Sequence, residues 1–345
     1  KPVDDFLARG TWAEGFRAPS LGDTFGGGTQ SFDDYMDICD SVNGQRSNPT
    51  VAANCLAGGA PVGYRQVDQS GNPVDAGGNQ SNVAFQAGAG NASLKPEIAK
   101  TKTLGFVYNP SFVPGLTASL DWFKVSVKNR ITAIDADFVL DQCYLKGVAS
   151  YCSVIKRDAA GNVIALARGN ANLGELSTEG VDIGLGYRLP RTAYGQFNIR
   201  SDSTWVKSFK SKSSDESEWQ EYNGEYNYNR FKTNLSVDWS LGNWSATVTS
   251  RYSSGVKGKC YSATEECSNP DGDASFGRYN KMGSVTYTDV SVGYKTPWKG
   301  QILVGANNFF DKAPRITYSG NSSGSSVDPN APIDRFVYVR YNQAF

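Results

Sequence analysis

The 345-residue sequence predicts an all-β fold, a transmembrane antiparallel up-and-down β-barrel, on three observations. Segments of period-two alternation recur about ten times, as strands with one apolar face require. The connections between them alternate between short and long, and aromatic residues gather where the segments end.

Composition agrees with strands and turns: Gly 37, Tyr 18, Phe 17 and Trp 7 are high, Met 2 is low, and His is absent. Lys+Arg 34 balances Asp+Glu 34, so a net charge of +0 offers nucleic acid no attraction. Mean hydropathy is −0.43, and no apolar run approaches the roughly 18 residues of a spanning helix. A barrel stays open, because only alternate residues of its strands meet lipid. The opening "KPVDDFLARG" lacks a basic segment followed by an apolar core, which leaves either a cytoplasmic chain or one whose front is missing. Six cysteines favour the second. Cys39 and Cys55, Cys143 and Cys152, and Cys260 and Cys267 are near neighbours in Gly/Asn/Ser-rich stretches. About 15 pairings are possible, and unrelated free thiols are the competing reading, but bridges within each stretch are simplest and imply an oxidising compartment. With no His and no Cys-x-x-Cys, neither a metal site nor another cofactor is expected.

Taken in order, "TLGFVY" (103–108) is a short alternating strand. In "LTASLDWFKVSVKN" (116–129) the phase slips near Trp122 and Phe123, which predicts a bulge or an exit from the apolar zone. "GVDIGLGYR" opposes Val181, Ile183, Leu185 and Tyr187 to Gly180, Asp182, Gly184 and Gly186. "RFKTNLSVDW" opposes Phe231, Thr233, Leu235, Val237 and Trp239 to Lys232, Asn234, Ser236 and Asp238. "WSATVTSRY" (244–252), "TDVSVGYK" (288–295) and "QILVGAN" (301–307) repeat the pattern. The final "DRFVYVRYNQAF" places Val337, Val339, Tyr341 and Phe345 on one face and Phe336, Tyr338, Arg340 and Asn342 on the other.

The short connections, 109–115, 189–195, 240–243 and 296–300, carry Pro and Gly turn chemistry. The long ones, 17–97, 135–172, 208–227, 256–282 and 311–332, are polar and hold all three cysteine pairs. A meander therefore collects short turns at one end and long loops at the other, as in an outer-membrane barrel. Asp182, Lys232, Asn234, Asp238 and Arg251 share the polar face. A Lys or Arg against lipid at mid-depth costs about 2 to 4 kcal/mol, so the apolar set must face outward and the polar set into water. Tyr108, Tyr187, Trp239, Trp244, Tyr294 and Trp298 lie beside the short turns, with Trp12, Trp122, Trp205 and Tyr252 near the opposite ends, as two interfacial belts.

Four strings, "WAEGFRAPSLGDTF" (12–25), "NASLKPE" (91–97), "NLGELSTEGVDIGLGY" (172–187) and "ANNFFDKAP" (306–314), followed by the aromatic last strand, resemble the C-terminal part of the barrel of TonB-dependent outer-membrane receptors. The resemblance implies the last ten or so strands of a 22-stranded barrel in a Gram-negative outer membrane, with the N-terminal plug and first strands absent from residues 1–345. It implies active uptake of a scarce nutrient, a ferric siderophore or another small organic ligand such as a carbohydrate or peptide, through the TonB complex, which contacts the missing part. Outer-membrane lipid and lipopolysaccharide would surround the barrel. Tyr341 and Phe345 resemble the closing signal read by the barrel assembly machinery, from which Gln343 departs. Haem receptors share similar strings but carry a His between them, so haem ligation here is not expected.

Arg17 and the acidic run Asp33, Asp34 and Tyr35 beside Cys39 are candidate ligand contacts, although such a run is more often a solvated loop. Trp219, Tyr222 and Tyr226, in a loop rich in Tyr, Trp and Asn, suit stacking on sugar or siderophore rings. An enzyme is disfavoured, since no Ser-His or Cys-His arrangement and no Gly-rich phosphate loop is present. Glu97 and Glu179 are expected at strand ends as lumen hydrogen-bonding groups. Two other classes compete: a passive porin-like or adhesive barrel, and a secreted soluble β protein glycosylated at Asn91, Asn234, Asn243 or Asn321.

Overall fold

A computed structural model describes residues 4–68, 70–75, 79–80, 85–214, 217–260, 267–274, 277–318, 325–327, 331–332 and 334–343. Ten long strands form one sheet in chain order: β1 (Phe6–Arg17), β2 (Glu97–Tyr108), β3 (Leu116–Ala133), β4 (Val163–Arg188), β5 (Gln196–Lys212), β6 (Phe231–Leu241), β7 (Trp244–Ser253), β8 (Val285–Lys295), β9 (Gly300–Asn307) and β10 (Phe336–Gln343). Each is antiparallel to the next, and the sheet is an open partial barrel whose free edges are β1 and β10. Four short helices, α1 (Leu21–Phe25), α2 (Pro49–Ala57), α3 (Ala136–Tyr144) and α4 (Ala149–Cys152), lie in the long connections. Among the described residues no helix is long and apolar enough to cross a membrane.

The register sorts side chains by face. One row across five strands is Leu104, Trp122, Val181, Trp205 and Phe231, and the adjacent row is Gly105, Asp121, Asp182, Thr204 and Lys232. On the polar face Arg9 reaches across Gly105 to Asp121 with bonds of 2.8 and 2.7 Å, and Thr204 donates to Asp182 at 2.6 Å. A Cβ at Gly105 would overlap the Asp121 carboxylate, so glycine is what lets the pair close. On the apolar face Leu120, Ile183, Leu185, Leu235, Val248 and Val304 are all more than 40% exposed, and such a contiguous exposed stripe marks a surface made for an apolar medium.

The aromatic belt at the short turns is a contacting set. Trp244 and Tyr294 have ring centroids 4.7 Å apart, and the Trp239 indole donates to the Tyr194 carbonyl at 2.7 Å. Trp298 donates to the Tyr341 hydroxyl at 3.0 Å. Gln343, the departure from the expected closing pattern, donates to the Trp298 carbonyl at 3.0 Å and accepts from Tyr341. Its amide therefore ties the last strand to the turn before β9. Phe345 lies outside the described residues.

Three expectations are corrected. Of the two readings at Trp122 and Phe123 the bulge is corrected, since pairing runs unbroken there and the register shifts fall at Val127/Arg130/Ile131 and at Val206/Ser208. The apolar face does end there, with Lys124 and Lys128 next on it. Phe123 sits on the polar face because its ring fills the space above Gly180, which has no side chain. Strand β4 begins at Val163, well before the expected 172, and β3 and β5 also extend past the apolar zone, so Trp122 and Trp205 lie mid-strand. For the same reason Glu179 is mid-strand and on the apolar-face side, where Lys124 and Lys207 reach it at 3.4 and 2.9 Å. Glu97 does open β2.

Phe231 and Trp239, eight steps apart on β6, span about 27 Å along the strand, or about 20 Å of depth at a typical barrel tilt. Val290 falls inside that zone and Ser291 is its neighbour on the polar face. Val290→Lys is expected to cost about 2 to 4 kcal/mol and Ser291→Lys less than about 1 kcal/mol, as read by urea unfolding of the protein in lipid vesicles. Equal costs would contradict the assignment of faces.

Candidate functional site

The long loops carry two separate constructions above the sheet. The first gathers three of the four family-like strings. Arg17, at the end of β1, holds Glu97, at the start of β2, through two bonds of 2.8 Å, and so closes the base of connection 18–96. Ser20 and Asp23 cap α1 reciprocally. Asp23 also accepts from Asn170 at 3.1 Å, the Asn91 amide donates to the Asn170 carbonyl at 3.0 Å, and Asn172 exchanges bonds of 2.7 and 2.8 Å with the Lys95 backbone. Residues distant in sequence thus form one hydrogen-bonded knot at the heads of β1, β2 and β4. The fourth string builds a turn: Asn308, buried and at φ 49, receives Lys312 N–H and donates its own N–H to Asp289.

From this base connections 18–96 and 134–162 fold together into a cap with its own core, in which Phe85, Val51, Val139, Leu140 and Leu166 are fully buried. Bridges Cys39–Cys55 and Cys143–Cys152 staple the two loops internally; Cys260–Cys267 does the same for connection 254–284. The pairing within each stretch is therefore as expected. One buried ion pair joins the loops: Arg157 bonds both Asp37 oxygens, at 2.6 and 2.9 Å, with both side chains almost wholly removed from solvent, and its remaining donors reach Tyr144 and Gly161. Asp40 is buried as well, with Arg65 donating to it at 3.1 Å. Burial opposes its charge, yet N–H groups of Asn43, Val42 and Gln66 more than offset that and hold its carboxyl below the usual range.

The second construction is a cavity of about 200 Å³ on the polar face of β4, β5 and β6, under connection 213–230. Thr178, Thr204, Phe209, Asn223, Tyr228 and Lys232 line it. Phe209 and Tyr228 stack at 4.8 Å, with Tyr222 at 5.6 Å from Tyr228. The bulge at Val206/Ser208 turns the carbonyls of Val206 and Lys207 toward Asn223, whose amide nitrogen donates to them at 2.8 and 3.0 Å. Asn223 Oδ1 is buried and has no partner among the described residues.

The predicted contact residues are divided between these places. Arg17 belongs to the knot. Asp33 bonds Arg168, Tyr35 is buried against Phe85 with ring centroids 5.4 Å apart, and Asp34 is exposed in a two-residue ladder with Gln80, so all three stand in or on the cap. Tyr222 belongs to the ring cluster beside the cavity. Tyr226 is held by its N–H to the Lys257 carbonyl. Trp219 lies over Lys210 and Lys212 at 4.9 and 5.6 Å, on the opposite face of β5 from Phe209. Asn223 and Tyr228 were within the Tyr/Asn-rich loop singled out in the sequence, but only the bulge in β5 selects Asn223. No group of three or more metal-ligating side chains occurs among the described residues.

Comparison with known proteins adds the following. The family model described as TonB dependent receptor-like, beta-barrel matches residues 1–309. No curated protein matches the sequence. A mutant of the ferric enterobactin receptor PfeA from Pseudomonas aeruginosa, in complex with enterobactin, aligns with a TM-score of 0.57 at 15% identity over 99% of this chain and 39% of that one. The siderophore receptor PirA from Acinetobacter baumannii gives a TM-score of 0.56 at 17% identity over 99% and 39%. At these identities the likeness is one of fold, and the chain spans about two fifths of either structure.

Two outcomes test the cap. Asp37→Ala strands a buried guanidinium, which is expected to remove about 3 to 5 kcal/mol from the cap, seen as faster hydrogen exchange in α2 and α3. Asp137, in the first turn of α3, is pushed up to about 6, by burial first and then by Asp135, Asp141 and Asp33, against the bond it accepts from Met36 N–H. Its proton is held more tightly folded than unfolded, so cap stability falls as pH rises from about 4 to about 6 and is flat above. Asp137→Asn should abolish that slope and raise protection at pH 7; an unchanged slope would refute the assignment.

Proposed function

We propose, from the premise that this chain belongs to the TonB-dependent receptor β-barrel family, that it forms the C-terminal part of the barrel of an outer-membrane receptor which takes up a scarce small nutrient by TonB-dependent transport. The open ten-strand sheet carries this reading: it runs from Phe6 to Gln343, the chain aligns over 99% of its length with 39% of a receptor structure, and the outer edges of β1 and β10 have no neighbouring strand among the described residues. Unpaired strand edges are not tolerated in hydrocarbon, which supports a barrel closed by strands beyond these ten. In this reading residues 1–345 are one portion of a larger chain, a plug precedes it and meets TonB, and Tyr341 with Phe345 serves the assembly machinery.

The apolar face looks out to lipid. Above Trp122 and Trp205 it changes to Lys100, Lys102, Lys124, Lys128, Lys207 and Lys212, with Glu14, Glu175 and Glu179 interspersed among them. That basic zone lies on the long-loop side, which supports an outer leaflet rich in phosphate there, as lipopolysaccharide supplies. The disulfides suit the oxidising exterior. One similar structure is a ferric enterobactin receptor in complex with enterobactin and the other a siderophore receptor, so a ferric siderophore is one candidate here; a carbohydrate or peptide is the other class.

Deleting the gene should abolish growth on the limiting iron or carbon source, and deleting TonB should abolish it equally. Uptake that persists without TonB would instead identify a passive porin-like barrel.

A further inference from the structure

We infer that the cavity at β4, β5 and β6 receives an uncharged ring bearing hydroxyl or amide groups, a sugar-like moiety, with Asn223 Oδ1 accepting a hydrogen bond from it. The inference rests on the receptor reading above and names the class of ligand.

Three observations carry it. First, Asn223 is 5% exposed, and its Nδ2 is already committed to the Val206 and Lys207 carbonyls, which fixes the amide and leaves Oδ1 as a buried acceptor without a donor. Buried acceptors are ordinarily bonded, so this atom calls for an O–H or N–H from what enters the cavity. A metal-chelated catecholate has given up those protons at its chelating oxygens. Second, the charges do not favour an anion. Lys232 is the one cationic lining residue among those described; its own row carries Asp182, and Asp121 paired with Arg9, and the next row carries Asp202. Third, about 200 Å³ gives room for one substituted ring. Tyr228, 40% exposed and backed by Phe209, offers an aromatic surface for the C–H face of such a ring, while Thr178 and Asn229 stand at the wall.

The test is calorimetric titration of the receptor, produced from its complete coding sequence in detergent, with maltose and with diacetylchitobiose, and separately with ferric enterobactin, at 0.05 and 0.5 M NaCl. Saturable binding of a neutral sugar is expected, with Kd changing less than about twofold between the two salts, as for an uncharged ligand. Asn223→Ala should weaken it about tenfold, the scale of one lost hydrogen bond. Because that change also frees two strand carbonyls, Lys232→Met serves as a second variant: sugar binding stays within about threefold, whereas an anion would lose tenfold or more. The inference is overturned if neither sugar binds saturably, or if ferric enterobactin binds with an affinity that falls steeply with salt and with Lys232→Met. Either result leaves the transport reading standing, since that is decided by growth with and without TonB.

Discussion

Main-chain pairing across ten successive strands is the constraint from which the other features follow. In hydrocarbon every N–H and C=O must find a partner inside the protein, so the ladder from Phe6 to Gln343 cannot be interrupted within the membrane zone. A continuous ladder fixes register, and register fixes face with no freedom left, because a slip of one residue would exchange the two sets of side chains. Leu185 and Asp182, three positions apart, are thereby committed to different media. The irregularities obey the same rule: the shifts at Val127/Arg130/Ile131 and Val206/Ser208 occur above the apolar rows, where water or loop backbone can meet a displaced group.

Above that zone the chain uses the freedom it lacks below. The heads of β1, β2 and β4 are joined by Arg17, Glu97, Asp23, Asn170 and Asn172, a network of charge-assisted and amide bonds rather than an apolar core. Only beyond it does burial take over, in a cap held by two disulfides and the Asp37–Arg157 pair. The sequence of materials along the axis, aromatic belt, aliphatic band, lysine zone, polar knot and stapled cap, follows the dielectric each layer meets.

How much of this could be read in advance depends on range. Strand faces are local, so Val181, Ile183, Leu185 and Tyr187 declared theirs without any partner, and so did the cysteine pairs, whose separations are 16, 9 and 7. The loops depend on contacts between distant residues. Arg17 reads as a cation free to meet a ligand until Glu97 is set beside it, and Tyr35 reads as an exposed ring until Phe85 covers it. Arg157 and Asp37 are 120 residues apart, and no pattern in either neighbourhood announces the other. Asn223 is the extreme case: its isolated oxygen exists only because an extra residue in β5 redirects two carbonyls, a feature with no composition of its own.

The disulfides have a bearing on how such a molecule is put together. Each of the three closes within a single connection, and none links one strand to another. Oxidation before insertion would therefore not fasten any two staves of the wall in a wrong relation, because each stapled loop is a small closed ring and the ribbons between the rings are still free to slide into place.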